Sequence, residues 1–221
     1  MSIRRLRRRD LPDATIARLP QYIRCLSQLD GAGLETVHSA ELAAQVGVSG
    51  AVVRRDLSYL GSYGTRGVGY PVAGLRDQMN HALGLAAEHR LIVVGIGHMG
   101  SALAGYGGFA DRGLRVVGLF DVDPGLIGHK AGNPDLGQLV IQPMAELPGF
   151  VAGHGVTIAV IATPAGVAQS VADLLVGAGV TSILNLTAAH LKVPEGVVAR
   201  PVDLATEIQI LAVHAGQRGE R

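Results

Sequence analysis

Three glycines in Gly95-Ile96-Gly97-His98-Met99-Gly100 have the spacing GxGxxG, directly after the apolar tetrad Leu91–Val94. A strand before and helix-forming residues after (Ser101–Tyr106) are the setting in which this pattern cradles a dinucleotide. The first glycine makes a tight turn and the second lets a pyrophosphate approach the backbone. The third lets the next helix pack on the strand, with its N-terminus facing the anion. Asp121 ends the next apolar run, 21 residues beyond Gly100, where a carboxylate accepts the ribose hydroxyls. No Lys or Arg follows before Lys130, so a 2′-phosphate would meet an uncompensated negative charge. NAD(H) is expected over NADP(H). Asp123 reads as a turn residue. Thr163-Pro164-Ala165 and Asn185 end two further strands, and such positions face the ligand in open α/β sheets. The candidate cofactor contacts are therefore Gly95, Ile96, Gly97, His98, Met99, Gly100, Asp121, Thr163, Pro164, Ala165 and Asn185.

A second chemistry lies upstream, in Arg54–Tyr70 (RRDLSYLGSYGTRGVGY). Val53, Leu57 and Leu60 fall at i, i+4 and i+7, one buried helical stripe. Ala51, Arg54, Arg55 and Ser58 lie off it, and Ser49 is placed to cap the helix. A tight turn between two helices, the second capped and basic, is the helix-turn-helix pattern. Its second helix leads into the major groove with its N-terminal residues, and an Arg there can fork onto guanine or hold a phosphate. The same pattern fits a small helical bundle with solvated arginines. The following segment favours DNA. Gly64, Gly67 and Gly69 permit the φ > 0 conformations of a tight β-turn. Arg66 sits at its tip, as in a wing whose cation enters a narrow minor groove.

These groups need elements to hold them. Pro20 is expected to open a first helix through Ile23, Leu26 and Leu29, ended by Gly31. Ser39 caps a second, Ala40–Val46, and Gly47-Val48 turns into the third, Gly50–Leu60, ended by Gly61. After Pro71, Leu75, Met79, Leu83 and Ala86 mark an amphipathic connecting helix. The remainder alternates strands (Leu91–Val94, Val116–Phe120, Val156–Ile161, Ser182–Leu184) with helices such as Val167–Ala178, a parallel α/β pattern. A last helix carries Leu204, Ile208, Leu211 and Ala215. Its stripe lies beyond the last expected strand, so a partner subunit is a reasonable place to bury it. The expected fold is α/β: a winged helix-turn-helix domain (1–85), a Rossmann-like domain (86–202) and a C-terminal helix (203–221).

Composition agrees with this division. Net charge is +1, but residues 1–90 carry 12 Arg against 8 acidic residues and the remainder 7 Lys+Arg against 10. A basic front half suits a polyanion, although Arg4–Arg9 by itself reads as a solvated tail. Cys25 is the sole cysteine, which excludes an intrachain disulfide and fits a reducing compartment. It reads as a core residue. No apolar run is long enough to span a bilayer and no signal-peptide core is present, so a cytoplasmic protein without a membrane partner is expected. No CxxC, HExxH or clustered metal ligands appear. His98 lies in the glycine loop, His129 in an expected loop and His154 beside glycines, while His190 follows a strand without an evident carboxylate partner; each reads as structural or solvent-exposed, and no nucleophile triad is found. With no room for a substrate domain, a sensor is expected rather than an enzyme. The alternative is a small NAD-dependent oxidoreductase or CoA-binding enzyme subunit with an accessory helical domain.

The segments VRRDLSYLGSYGTRGVGY, GIGHMG…LAGYGGF, FDVDP, ATPAGVAQ, GVTSILN and VDLATEIQIL resemble, in order, the Rex redox-sensing repressors, from about Pro12 to Leu211. The resemblance implies a homodimer on palindromic double-stranded operator DNA that senses the NADH/NAD+ ratio and leaves the operator when NADH binds. It implies a Tyr106 near the nicotinamide, an Arg24–Asp203 pair bridging the DNA and cofactor domains, and a C-terminal helix swapped between subunits. His98-Met99, Gly50, Leu186-Thr187-Ala188 and Leu204 depart from the residues usual in the family.

Overall fold

The computed structural model describes residues 11–61, 64–65, 67–85, 87–135 and 137–219, and the chain divides into units Met1–Ala87 and Glu88–Arg221. Arg66, Ala86 and the Arg4–Arg9 run lie outside the described residues.

In the first unit, helix α1 spans Asp13–Gly31, with Pro12 at its N-cap and Pro20 inside it. Pro20 therefore does not open the helix. A proline in a helix interior costs about 3 kcal/mol. Burying Leu19, Tyr22 and Leu26 on one continuous stripe returns about 1.5–3 kcal/mol each, so packing wins. A short strand β1 (Thr36–Val37) leads to helix α2 (Ser39–Val46). His38, not Ser39, occupies the N-cap. Glu41 at N3 accepts from the His38 N–H at 2.7 Å, while the Ser39 hydroxyl is engaged elsewhere. Gly47 takes a left-handed φ of 74° at the turn. Helix α3 then spans Gly50–Leu60, capped by Ser49, whose Oγ accepts from the Val52 N–H at 3.3 Å. Strand β2 (Tyr70–Pro71) pairs antiparallel with β1, and helix α4 (Val72–Ala82) follows. Leu19, Tyr22, Leu26, Leu42, Leu57, Leu75 and Met79 form the core.

Among the described residues, the wing segment shows one isolated bridge. Thr65 and Gly69 exchange two backbone hydrogen bonds, 3.0 and 3.1 Å. Gly67 and Gly69 take φ of 84° and 96°, as a tight turn requires. Gly64 serves otherwise: a Cβ there would stand 2.6 Å from the Tyr70 ring, so it is needed for close approach rather than for its φ.

The second unit is built on strands β3 (His89–Val94), β4 (Leu114–Asp121), β5 (Lys130–Ala131), β6 (Leu139–Pro143), β7 (Ile158–Ile161), β8 (Ser182–Asn185) and β9 (Val198–Pro201). Their order is β5-β6-β4-β3-β7-β8-β9. Only β5 is antiparallel to its neighbour. Counted in chain order, the six parallel strands run 3-2-1-4-5-6, the dinucleotide-binding Rossmann order. Helices α5 (His98–Ala104), α6 (Leu147–His154) and α7 (Ala168–Gly177) lie among them. One face of the sheet buries Ile92, Val94, Phe120 and Ile161 with Leu147 and Leu175. The other buries Leu91, Val93, Leu119 and Val160 with Ile96. Burial on both faces is why these strands read as unbroken apolar runs.

Strands β5, β6 and β9 and helix α6 add to the sequence expectation. In β6, Ile141 is buried while Val140 is exposed, the alternation of a strand with one covered face. The last helix, α8 (Leu204–Gly219), leaves its apolar stripe uncovered within the chain: Leu204, Ile208 and Leu211 are 54–66% exposed.

Candidate functional site

The glycine loop leaves β3 at the point where strand order reverses, the position for a ligand crevice in such sheets. Gly95 adopts φ +90°, and a Cβ on it would lie 2.8 Å from the Ala162 carbonyl and Thr163 Cγ2. The loop thus abuts the segment after β7. A Cβ on Gly100 would fall 1.8 Å from the Gly95 carbonyl oxygen, whereas one on Gly97 would meet nothing within 4 Å. The three glycines therefore separate as their spacing implies: a turn, an open approach and a close packing. His98 and Met99 are exposed in the first turn of α5.

Asp121 is 9% exposed. Its Oδ2 accepts from the Ile96 N–H at 2.6 Å, and its Oδ1 from the Val122 and Asp123 N–H groups at 2.7 and 2.9 Å. The carboxylate ties the glycine loop to the end of β4. With about four acceptor positions on a carboxylate, one stays open to a hydroxyl. Thr163 Oγ1 is buried without a hydrogen-bond partner, beside Gly95. A buried hydroxyl without a partner costs about 1–3 kcal/mol, so this position fits a polar ligand that completes it. Pro164 and Ala165 are exposed next to it, where a 3₁₀ turn (Ala165–Val167) begins. Together the open space at Gly97 and the orphan hydroxyl fit a pyrophosphate-bearing dinucleotide. Tyr106 is half exposed and meets Phe109 edge-on at 5.1 Å.

Asn185 ends β8 as expected, but its amide has local work. Its oxygen accepts from the Thr187 N–H (3.0 Å) and hydroxyl (2.8 Å), and its Nδ2 donates to the Ala189 carbonyl at 2.7 Å. Asp203 caps α8. Its Oδ1 accepts from the Ala205 and Thr206 N–H groups at 3.0 and 3.2 Å, and its Oδ2 from the Thr206 hydroxyl at 2.8 Å. The Thr206 hydroxyl and N–H hold its carboxyl below the ordinary aspartate value. Arg24 is exposed on α1.

On α3, Ala51, Arg54, Arg55 and Ser58 are all exposed, as is Ser49 at its cap. The residue that sequence reasoning missed is between them. Asp56 is 1% exposed and accepts from Thr15 Oγ1 (2.9 Å), Arg18 Nε and Nη2 (2.7 and 2.8 Å) and the Tyr22 hydroxyl (2.8 Å). Its signal was available: Asp56 is the i+3 member of the Val53, Leu57, Leu60 stripe, so the period that buries those residues also buries a carboxylate. Such a group needs partners, and α1 supplies all of them. Burial pushes the Asp56 carboxyl up, but the hydrogen bonds from Arg18, Tyr22 and Thr15 outweigh it and hold the group below the ordinary value. The Arg18 guanidinium is held protonated more firmly than usual by its bonds to Asp56. Burial and the bond to Asp56 push the Tyr22 phenol up to about 12.

The sign for pH follows. A carboxyl depressed in the folded state binds fewer protons than in the unfolded state. Its stabilisation is complete above the unfolded value near ~4 and is lost as pH falls through the folded value. Urea midpoints measured from pH 6 down to pH 3 are expected to fall more steeply for the parent protein than for Asp56→Asn. Parallel slopes would deny Asp56 this part. Cys25 is buried, and burial raises its thiol, so it stays protonated and a poor nucleophile.

Sequence and structure comparisons agree with this geometry. A family model described as "Putative DNA-binding protein N-terminus" matches residues 10–58, and one described as "CoA binding domain" matches 86–189. The redox-sensing transcriptional repressor Rex of Streptomyces coelicolor is 54% identical over 94% of this chain and 79% of its own length. That of Syntrophomonas wolfei is 45% identical over 92% of this chain and 95% of its own. Among solved structures, RSP in complex with β-NAD+ and operator DNA superposes with a TM-score of 0.86 at 31% identity, over 95% of this chain and 94% of that one. RSP with β-NADH gives 0.84 at 30% identity, over 95% and 96%. A Rossmann sheet with an open glycine loop, a capped basic helix-turn-helix and this degree of identity lead to one conclusion: the chain belongs to the Rex family of redox-sensing transcriptional repressors.

Proposed function

We propose that this protein binds palindromic operator DNA as a homodimer and leaves it when NADH is bound, so that transcription follows the NADH/NAD+ ratio. The observation that carries the reading is the presence, on one chain, of an uncovered basic helix-turn-helix and an open glycine cradle. The structures of RSP with β-NAD+ and operator DNA and with β-NADH support it.

Gly95–Gly100 would receive the pyrophosphate, with the Gly97 backbone open to it. Asp121 would accept a ribose hydroxyl at its remaining acceptor position and repel a 2′-phosphate. Thr163, with Pro164 and Ala165, would border the same crevice and give its unpartnered hydroxyl to the ligand, and Asn185 would shape the floor. Tyr106 would sit near the nicotinamide, which is neutral and puckered when reduced but cationic and planar when oxidised. Ser49, Ala51, Arg54, Arg55 and Ser58 would meet the major groove, and Arg66 the minor groove. Arg24 and Asp203 would form the pair that links cofactor state to DNA state. The uncovered stripe of α8 suits burial against a second copy, and a two-fold dimer matches two half-sites. The switch is a population shift: the ligand-bound state must favour the arrangement that does not bind DNA. The cytoplasm, with its dinucleotide pool and chromosome, is the fitting compartment.

The test is operator binding at fixed salt with NADH or NAD+ titrated in. NADH is expected to weaken binding at least about tenfold, equivalent to about 1.4 kcal/mol of coupling, and NAD+ to leave it near its starting value. An affinity indifferent to NADH refutes the reading. Asp121→Ala also leaves the buried Ile96 N–H without its acceptor, a cost of about 1–3 kcal/mol. NADH affinity is expected to fall by roughly tenfold or more, and isothermal calorimetry would report it. An unchanged affinity removes Asp121 from the site.

A further inference from the structure

The first unit contains a concavity of about 360 Å³ between the start of α2, helix α3 and the 64–70 turn, lined by His38, Ser39, Arg54, Thr65 and Tyr70 among others. Arg54 reaches back across it, and its Nη1 donates to Ser39 Oγ at 2.9 Å. Gly50 makes room for this: a Cβ there would lie 3.3 Å from Arg54 Nη1 and 3.5 Å from Ser39 Oγ. Arg18, Arg76, Arg90 and Arg115 each have a carboxylate within 4.0 Å, but among the described residues Arg54 does not. A guanidinium has five N–H donors, so Arg54 engages one on a neutral hydroxyl and retains its full charge. Asp56, two residues on, is spent in the core on Thr15, Arg18 and Tyr22, and Glu41 does not line the concavity, its Oε2 already accepting the His38 N–H. Arg55, the next residue, is rotated about 100° around the helix, and among the described residues no hydrogen bond or ion pair engages its side chain. The two neighbouring arginines are therefore presented differently, one held by Ser39 over a concavity that Thr65 and Tyr70 also line and one unrestrained on the exposed face.

We propose that this concavity seats one phosphate of the DNA backbone, clamped by Arg54 with the Ser39, Thr65 and Tyr70 hydroxyls, and that base reading falls to Arg55. The inference rests on the operator-binding function proposed above. A backbone phosphodiester, a monoanion with two non-bridging oxygens, matches the donor set, since fork-shaped guanidinium N–H groups and hydroxyls bind phosphate oxygens without needing base identity. Seating a phosphate there would fix the register of α3 on the duplex, and Arg55 would then meet one base edge.

The experiment uses the full-length protein, a duplex that it selects from a random-sequence pool, and an unrelated duplex of equal length. Binding is followed by fluorescence anisotropy from 50 to 200 mM salt, a range over which phosphate contacts dominate. Arg54→Ala is expected to weaken both duplexes by the same factor, about tenfold, and to reduce the log–log salt slope by about 1 per contact, about 2 for a dimer. Arg54→Lys should keep most of that slope. Arg55→Ala should weaken the selected duplex about tenfold more than the unrelated one. Ser39→Ala, which leaves the guanidinium in place but unheld, should cost a few-fold on both duplexes alike and guards against misfolding of Arg54→Ala. A loss confined to the selected duplex in Arg54→Ala or Ser39→Ala, or no loss on either, overturns the phosphate seat. Failure of the underlying function looks different: the unmodified protein would then select no duplex or ignore NADH.

Discussion

Replacing Asp56 by alanine is expected to destabilise the N-terminal unit by about 3–5 kcal/mol, the cost of breaking a buried ion pair by removing one partner. Four donor contacts converge on this carboxylate. Its loss strands the Thr15 and Tyr22 hydroxyls in the interior, and it leaves Arg18, whose side chain is 24% exposed, without its counter-charge. Domain stabilities are commonly about 5–15 kcal/mol, so a fifth or more of the margin is at stake. Urea unfolding of the full-length protein, followed through both units, would show the first transition moving while the second stays. A shift under about 1 kcal/mol would mean that the network contributes little. Asp56→Asn keeps the size and one acceptor oxygen, and is expected to cost less than Asp56→Ala. Because Asp56 stands between Arg55 and Leu57, the same network sets the rotation of α3 against α1.

Gly100→Ala is expected to lower NADH affinity by at least about 100-fold, or about 2.7 kcal/mol, and so yield a repressor that leaves DNA only at correspondingly higher NADH. The added Cβ would lie 1.8 Å from the Gly95 carbonyl oxygen. The obstructing atom is backbone, so either the loop or α5 must move by more than an ångström, and the pyrophosphate seat moves with it. Gly97→Ala provides the contrast. Its Cβ meets nothing within 4 Å, so the fold should be unchanged while the methyl group occupies the open approach. Calorimetry with NADH, together with thermal unfolding, separates the two: both variants lose affinity, but only Gly100→Ala loses stability. Retained affinity in both would place the cofactor elsewhere.

Much of this was legible from local pattern. Val53, Leu57 and Leu60 gave α3 its bounds because a 3.6-residue period is a local property of the chain. Leu91–Val94 followed by GxGxxG specified a strand, a turn and a helix start, because each glycine there answers a steric demand set by nearby residues. Pro20 misled for the opposite reason. Its preference for a helix start is intrinsic, yet the contacts of Leu19, Tyr22 and Leu26 with the core outweigh it, and those contacts come from distant segments. His38 rather than Ser39 takes the cap, with Glu41 accepting its N–H, while Ser39 accepts from Arg54, 15 residues away.

The amino-acid sequence by itself determined which residues carry charge and freedom of backbone: the glycine spacing at 95–100, the acidic residue at 121, the basic helix at 50–60 and the family that these motifs compose. These are consequences of periodicity and of side-chain chemistry within a few turns of chain. Only the tertiary structure decided how those groups are spent. It brought Thr15, Arg18 and Tyr22 onto Asp56, tied Asp121 to the Ile96 N–H, left the Thr163 hydroxyl unpaired, and turned Arg54 back onto Ser39. All but the unpaired Thr163 hydroxyl are contacts between groups far apart in the chain. Hydrogen bonds depend on ångström-scale distances that packing alone sets, and no spacing along the chain encodes them.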